Sequence, residues 1–147
     1  MLVNPYLSFE GRCEEALDFY QQALGAQVSM LMRSKDAPPS DAPAPSDGCV
    51  PEGGIPGDKI LHASFTVGGS TLMATDGMNS GKPDFKGVSL SLSVDTEAQA
   101  HRLFNALAAG GQRQMPWSAT FFSPVSCLVA ARFGVAWLLL VASCYRV

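Results

Sequence analysis

An internal duplication is the feature that most constrains the fold of this 147-residue chain. The order strand, amphipathic helix and three strands occurs once from residues 5–28 onwards and again, more loosely, from residues 88–115 onwards. Each copy has a single helix, which can cover only one face of its sheet. Two such sheets facing each other across a concave cleft would satisfy both copies. The sequence therefore predicts an α+β fold of two βαβββ modules.

The first helix is predicted over residues 12–24 by an apolar stripe. Gly25 can adopt the left-handed conformation that ends a helix, and polar residues fill the opposite side. We expect the helix to lie on the first sheet with Leu17 and Tyr20 buried. The stripe consists of Cys13, Ala16, Leu17, Tyr20 and Leu24.

Four strands are expected in the first module, over residues 2–9, 27–33, 59–67 and 70–75. In the second of them, alternation places Val28, Met30 and Met32 on one side. Gly68-Gly69 predicts a hairpin between the last two.

Residues 34–58 hold six of the ten prolines and four glycines. This composition is typical of a long loop on a compact domain. A functional lid and a disordered segment are both consistent with it.

The second module is predicted to begin with a strand over residues 87–94. Asp95 or Thr96 then caps a helix, and Gly110-Gly111 ends it. A strand begins at residues 112–115, residues 116–124 turn back, and two strands follow over 125–130 and 135–142. The apolar stripe of this helix is Ala100, Leu103, Phe104 and Leu107. We expect module boundaries of 1–86 and 87–147, with the two modules together forming one domain.

Charge and cysteine usage restrict the partners and the compartment. The net charge is -3 and there is no basic run, which argues against a nucleic-acid partner. The first residues, MLVNPYLSFEGR, lack the basic and apolar segments of a signal peptide. The four cysteines show no CxxC spacing, so we expect reduced thiols in a cytoplasmic protein. They are Cys13, Cys49, Cys127 and Cys144.

Residues 125–144 are long and apolar enough to suggest a membrane span, for which about 20 apolar residues are needed. Arg132 and Gly134 interrupt the stretch. Two buried strands around an Arg-Phe-Gly turn explain it better, so we expect no membrane partner.

Several motifs in order carry a resemblance to a known family. They are PYLSFEGRCEEALDFYQQALGA, ILHASFTVGGSTLMATDGM, LFNALAAGG with QMPWSATFF, and RFGVAW. The chain resembles the PhnB-like family of the vicinal-oxygen-chelate superfamily, which includes glyoxalase I, bleomycin-resistance proteins and extradiol dioxygenases. This resemblance implies the glyoxalase-like fold, a small-molecule ligand and a homodimer. The pattern departs from the family after Phe122, where Cys127, Ala130 and Ala131 replace a glycine-containing turn and a Thr-Asp pair.

The resemblance also implies four positions that hold a divalent metal in the enzymes of the superfamily. They fall on Pro5, Met73, Ser89 and Leu138, none of which is a good ligand for such a metal. We therefore expect no metal, no cofactor and no glyoxalase I activity. The function favoured is metal-independent binding of a small molecule. The alternative is a lyase, isomerase or dioxygenase-type enzyme with a degenerate metal site.

Candidate ligand-binding residues come from two alternating polar rows and from nearby aromatic residues. The rows would line the cleft, although polar rows on antiparallel sheets also simply face water. The aromatic residues suit a flat or hydrophobic ligand. His62 could instead be a metal ligand if Asp76, Asp84 or Cys49 lay close, whereas His101 is expected to be solvated. The predicted site consists of His62, Ser64, Ser89, Ser91, Trp117 and Phe122.

Overall fold

The computed structural model describes residues 1–37, 57–120 and 123–142. It contains two four-stranded sheets, each with one α-helix against it, and the order strand, helix and three strands occurs twice. The predicted α+β architecture of two βαβββ modules is confirmed. The chain divides into two compact units, Met1–Pro83 (unit 1) and Asp84–Val147 (unit 2).

Unit 1 has the strand order β1-β4-β3-β2, with β1 parallel to β4 and the other neighbours antiparallel. Gly68 begins the β3–β4 turn with a φ of 57°, a left-handed conformation that favours glycine. The predicted hairpin is therefore confirmed. The elements are β1 (Tyr6–Ser8), α1 (Cys13–Leu24), β2 (Gln27–Arg33), β3 (Ile60–Val67) and β4 (Ser70–Thr75).

Helix α1 packs on this sheet through the predicted stripe. Leu17 and Tyr20 are buried, as expected, together with Cys13 and Ala16. The ring of Tyr20 stacks on that of Phe65 from β3, with centroids 6.1 Å apart. The face of the first sheet that carries Phe65 is therefore the one that α1 covers.

The start of α1 is held by a carboxylate that is distant in sequence. Arg12, at the cap position, makes no capping hydrogen bond through its side chain. Asp76, only 5% exposed, instead accepts hydrogen bonds from the backbone N–H of Cys13 at 2.8 Å and of Ile60 at 2.7 Å. Asp76 thus joins the first residue of α1 to the first residue of β3.

The turn between β1 and α1 is held by Glu10, whose φ is 51°. The hydroxyl of Ser8 donates to its carboxylate at 2.7 Å, and the backbone N–H of Ser80 donates at 3.1 Å. The Ser8 hydrogen bond is the main cause that lowers the pKa of Glu10. Gly77 is required here because a Cβ at this position would overlap the Ser8 hydroxyl.

Unit 2 has the equivalent strand order β5-β8-β7-β6, with β5 parallel to β8. Thr96 caps α2, since its hydroxyl accepts a hydrogen bond from the N–H of Gln99 at 3.2 Å. The predicted stripe on α2 is buried. The elements are β5 (Ser89–Val94), α2 (Glu97–Ala108), β6 (Gln112–Thr120), β7 (Ser123–Ala130) and β8 (Ala136–Val141).

Strand β6 is longer than predicted, whereas β1, predicted over residues 2–9, is limited to Tyr6–Ser8. The sequence places a turn from Pro116 onwards, but β6 continues to Thr120. It is an edge strand whose register shifts on both sides of Met115. An irregular edge strand can contain a proline because the missing N–H need not pair.

Residues 125–144 are largely explained by two strands. Strands β7 and β8 flank a short turn at Arg132–Gly134, as predicted. Across residues 1–37, 57–120 and 123–142, no helix has the length and apolar character needed to cross a membrane. The lid and disorder interpretations of the proline-rich stretch concern mostly residues 38–56, which lie outside the described residues.

Candidate functional site

The face of the first sheet opposite α1 carries one of the two predicted polar rows. His62, Ser64 and Thr66 are half-buried there, whereas Ala63 and Phe65 are buried on the α1 side. Register pairs Ser64 with Met73 and Met30, and Met73 with Tyr6. We call this surface the His62 face; it consists of Tyr6, Met30, Met32, His62, Ser64, Thr66 and Met73.

His62 is held on this face by a tyrosine from another strand. The Tyr6 hydroxyl lies 3.1 Å from His62 Nδ1, and the two rings stack with centroids 5.5 Å apart. Strand β4 separates β1 from β3, so Tyr6 reaches His62 across it. Tyr6 is 51% exposed. Since Nδ1 is engaged, Nε2 is the ring atom positioned to donate to or accept from a ligand.

Three methionines share the face of the sheet that carries His62. Met32 pairs directly with His62, while Met30 and Met73 pair with Ser64, the next residue of the same row. The sequence alternation grouped Val28 with these methionines, which is wrong. Val28 pairs with Phe65 on the α1 side. A register shift between Val28 and Met30 places Met30 and Met32 on the opposite face of the sheet.

In unit 2, Ser89 and Ser91 are exposed on the face of the sheet opposite α2. Ser89 pairs with Ala136, and Ser91 pairs with Leu138 of β8. Leu138 pairs in turn with Leu128 of β7, and both leucines are half-buried. The serine row therefore borders a hydrocarbon surface and can present hydroxyl groups beside it.

Trp117 lies elsewhere in unit 2. Its ring packs on α2, with centroid distances of 4.1 Å to His101 and 4.9 Å to Phe104. The structure thus places it on the helix side of the sheet, away from Ser89 and Ser91. His101 is exposed, as predicted, but its ring also packs against this tryptophan at an interplanar angle of 43°.

Phe122 lies outside the described residues. Sequence reasoning did not single out Tyr6, Met30 and Met32 as site residues. Met73 was considered only as a metal position. Residues along β1 alternate between the two faces of the sheet, so Tyr6 lies on the face opposite to buried Leu7 and Phe9. This alternation is the sequence signal that could have identified Tyr6.

The residues at the four implied metal positions do not fit a hard divalent cation. In unit 1, Met73 donates its backbone N–H to the Pro5 carbonyl, and neither side chain offers a nitrogen or an anionic oxygen. In unit 2 the positions hold a serine and a leucine. Asp76, considered as a second ligand beside His62, already accepts hydrogen bonds from two backbone N–H groups. Among the described residues, no group of three or more His, Cys, Asp or Glu side chains could hold a metal.

Known proteins match this chain over nearly its whole length. A family model described as 3-demethylubiquinone-9 3-methyltransferase matches residues 2–140. Protein YjdN of Escherichia coli is 35% identical over 139 residues, covering 95% of this chain and 94% of that protein.

Two solved structures are similar in both sequence and fold. The structure of protein PA1353 from Pseudomonas aeruginosa has a TM-score of 0.74 at 39% identity, covering 96% of this chain and 97% of that one. A putative 3-demethylubiquinone-9 3-methyltransferase, PhnB protein, from Bacillus cereus has a TM-score of 0.73 at 26% identity, covering 97% and 100%.

More distant structures share the fold alone. A glyoxalase-related enzyme from Fulvimarina pelagi has a TM-score of 0.61 at 16% identity, covering 96% of this chain and 87% of that one. The fosfomycin resistance protein FosX from Listeria monocytogenes has a TM-score of 0.62 at 10% identity, covering 97% and 93%. These similarities confirm the glyoxalase-like fold that the resemblance to the PhnB-like family implies.

Proposed function

The chain belongs to the family described as 3-demethylubiquinone-9 3-methyltransferase, a PhnB-like family of the vicinal-oxygen-chelate superfamily, and from this premise we propose that it binds a small molecule without a divalent metal. The His62 face is the observation that supports this function. It combines an imidazole positioned by Tyr6 with a neighbouring hydroxyl and thioether side chains. The family description names methyl transfer, but within the described ranges no glycine-rich nucleotide loop follows a parallel strand.

The chemistry of the His62 face suits a flat, largely apolar ligand with one or two polar groups. His62 Nε2 and the Ser64 hydroxyl would orient the polar groups. Methionine side chains adapt to different ligand shapes, and their sulfur makes favourable contacts with aromatic rings. Ser89 and Ser91 remain proposed ligand-binding residues on the sheet of unit 2. Phe122 also remains a proposed ligand-binding residue, while Trp117 is better explained by its packing on α2.

The two histidines allow a matched test with the fluorescent probe 8-anilinonaphthalene-1-sulfonate, an anion with a planar naphthalene ring. We expect His62→Gln to weaken its binding about tenfold, since losing one hydrogen bond costs roughly 1.4 kcal/mol. His101 lies on α2 and contacts Trp117, so His101→Gln should leave the affinity for the probe unchanged. Fluorescence titration measures both. Equal affinities for the two variants would overturn the assignment of His62.

The same titration tests independence from a metal. Dialysis of the wild-type protein against EDTA should leave the affinity for the probe unchanged. A loss of binding restored by a divalent cation would contradict the proposal. About one zinc, nickel or iron per chain, lost in His62→Ala, would favour the metal-dependent enzyme instead.

We further propose a homodimer. The first sheet ends at β1 and β2, and the second ends at β5 and β6. Edge strands carry backbone groups that pair readily with another chain. Light scattering at micromolar concentration should give twice the chain mass of 15.5 kDa. A monomer mass under these conditions would refute this part of the proposal.

A cytoplasmic location is proposed from the cysteines. Cys13 and Cys127 are buried free thiols. Burial raises the pKa of Cys13 to about 12 and that of Cys127 to about 11, so both stay protonated and unreactive at neutral pH. Protonated thiols inside a core suit a reducing compartment.

A further inference from the structure

Three of the six methionines lie around one histidine on the His62 face. We propose that this cluster binds a soft monovalent cation, Cu(I) or Ag(I), through His62 Nε2 and the sulfur atoms of Met30, Met32 and Met73. This site goes beyond the proposed binding of an organic ligand, and it uses donors that hard divalent cations disfavour.

Register places all three methionines within reach of His62. Met32 is directly opposite His62, where Cβ atoms are about 4.5–5.5 Å apart. Met30 and Met73 are opposite Ser64, two residues along the same row, and are therefore diagonal neighbours of His62 at about 7–8 Å. Methionine has three rotatable bonds, so three sulfur atoms can converge on one point beside the imidazole.

The donor set selects the metal. Thioether sulfur is a soft ligand that favours Cu(I), whereas Mg²⁺, Ca²⁺ and Mn²⁺ favour carboxylate, carbonyl and water oxygens. Four neutral donors leave the single positive charge of the cation uncompensated, which disfavours a doubly charged ion in the same place.

Tyr6 orients the imidazole so that Nε2 can coordinate the cation. When Nε2 coordinates a cation, Nδ1 carries the ring proton and donates it to the Tyr6 hydroxyl oxygen, 3.1 Å away. A hydrogen bond at the second nitrogen fixes the tautomer and the orientation of a metal-binding histidine. Met30 is 42% exposed, which gives the cation a path to the site.

The test is an Ag(I) titration, in chloride-free buffer, of the full chain carrying ¹³C-labelled methionine methyl groups. We expect the methyl signals of Met30, Met32 and Met73 to shift together and to saturate at one cation per cluster. The exposed Met78, in the loop after β4, is the internal control and should not shift.

Three variants complete the test. His62→Gln and the volume-conserving Met32→Leu should each weaken the joint shift of the remaining methyl groups at least tenfold, while Met78→Leu should not change it. Circular dichroism checks that each variant is folded. Unmoved signals at excess Ag(I), or shifts that persist unchanged in His62→Gln, would overturn the proposal. Either result would leave the wild-type affinity for the anilinonaphthalene probe unaffected, so the two proposals fail separately.

Discussion

Asp76→Ala is expected to lower the free energy of unfolding by about 2–6 kcal/mol. The substitution leaves the N–H groups of Cys13 and Ile60 without their acceptor inside the protein. A buried donor left unpaired costs about 1–3 kcal/mol, and two such donors are created at once. Because one of them starts α1 and the other starts β3, both elements should loosen. His62 lies two residues after Ile60, so the His62 face should loosen with them.

Urea denaturation followed by circular dichroism measures this loss. Asp76→Asn keeps one carbonyl oxygen and should lose about half as much stability as Asp76→Ala. Asp18→Ala is the matched control, since Asp18 is exposed on the outer side of α1, and it should change stability by no more than about 0.5 kcal/mol. Equal stabilities of Asp76→Ala and Asp18→Ala would show that the two hydrogen bonds do not hold the unit together.

Leu17→Ala should destabilise the protein by about 2–5 kcal/mol. Leu17 is 3% exposed in the centre of the apolar stripe of α1, and its removal leaves a cavity between the helix and the sheet. The size of the loss depends on how far neighbouring side chains can move into that cavity.

The same deletion at Leu31 is the control for Leu17→Ala. Leu31, on β2 of the same unit, is 38% exposed, so Leu31→Ala should cost less than about 1 kcal/mol. Thermal unfolding of both variants gives the comparison. If Leu17→Ala is neutral, the stripe does not form a packed core.

Local patterns were sufficient to predict most of the fold. The stripe from Cys13 to Tyr20, the Gly68-Gly69 turn and the Thr96 cap each correspond to an element with the predicted type and nearly the predicted ends. Such signals depend on residues close in sequence, so they can be recognised without knowing which strands pair. The predicted placement of His62 and Ser64 on one face of β3 came from the same period of two.

Local patterns in the sequence were enough to predict the two modules, the burial of α1 and the sides of β3. The tertiary structure sets the surroundings of His62, because Tyr6 reaches it across β4 in the strand order β1-β4-β3. It also decided which side Met30 takes, since that depends on a register shift in the β2–β3 pair. Trp117 was assigned to the ligand site from its aromatic character, but its side of the sheet depends on how β6 pairs with β7. Contacts between residues far apart in the chain, such as Asp76 with Cys13, leave no periodic signal in the sequence.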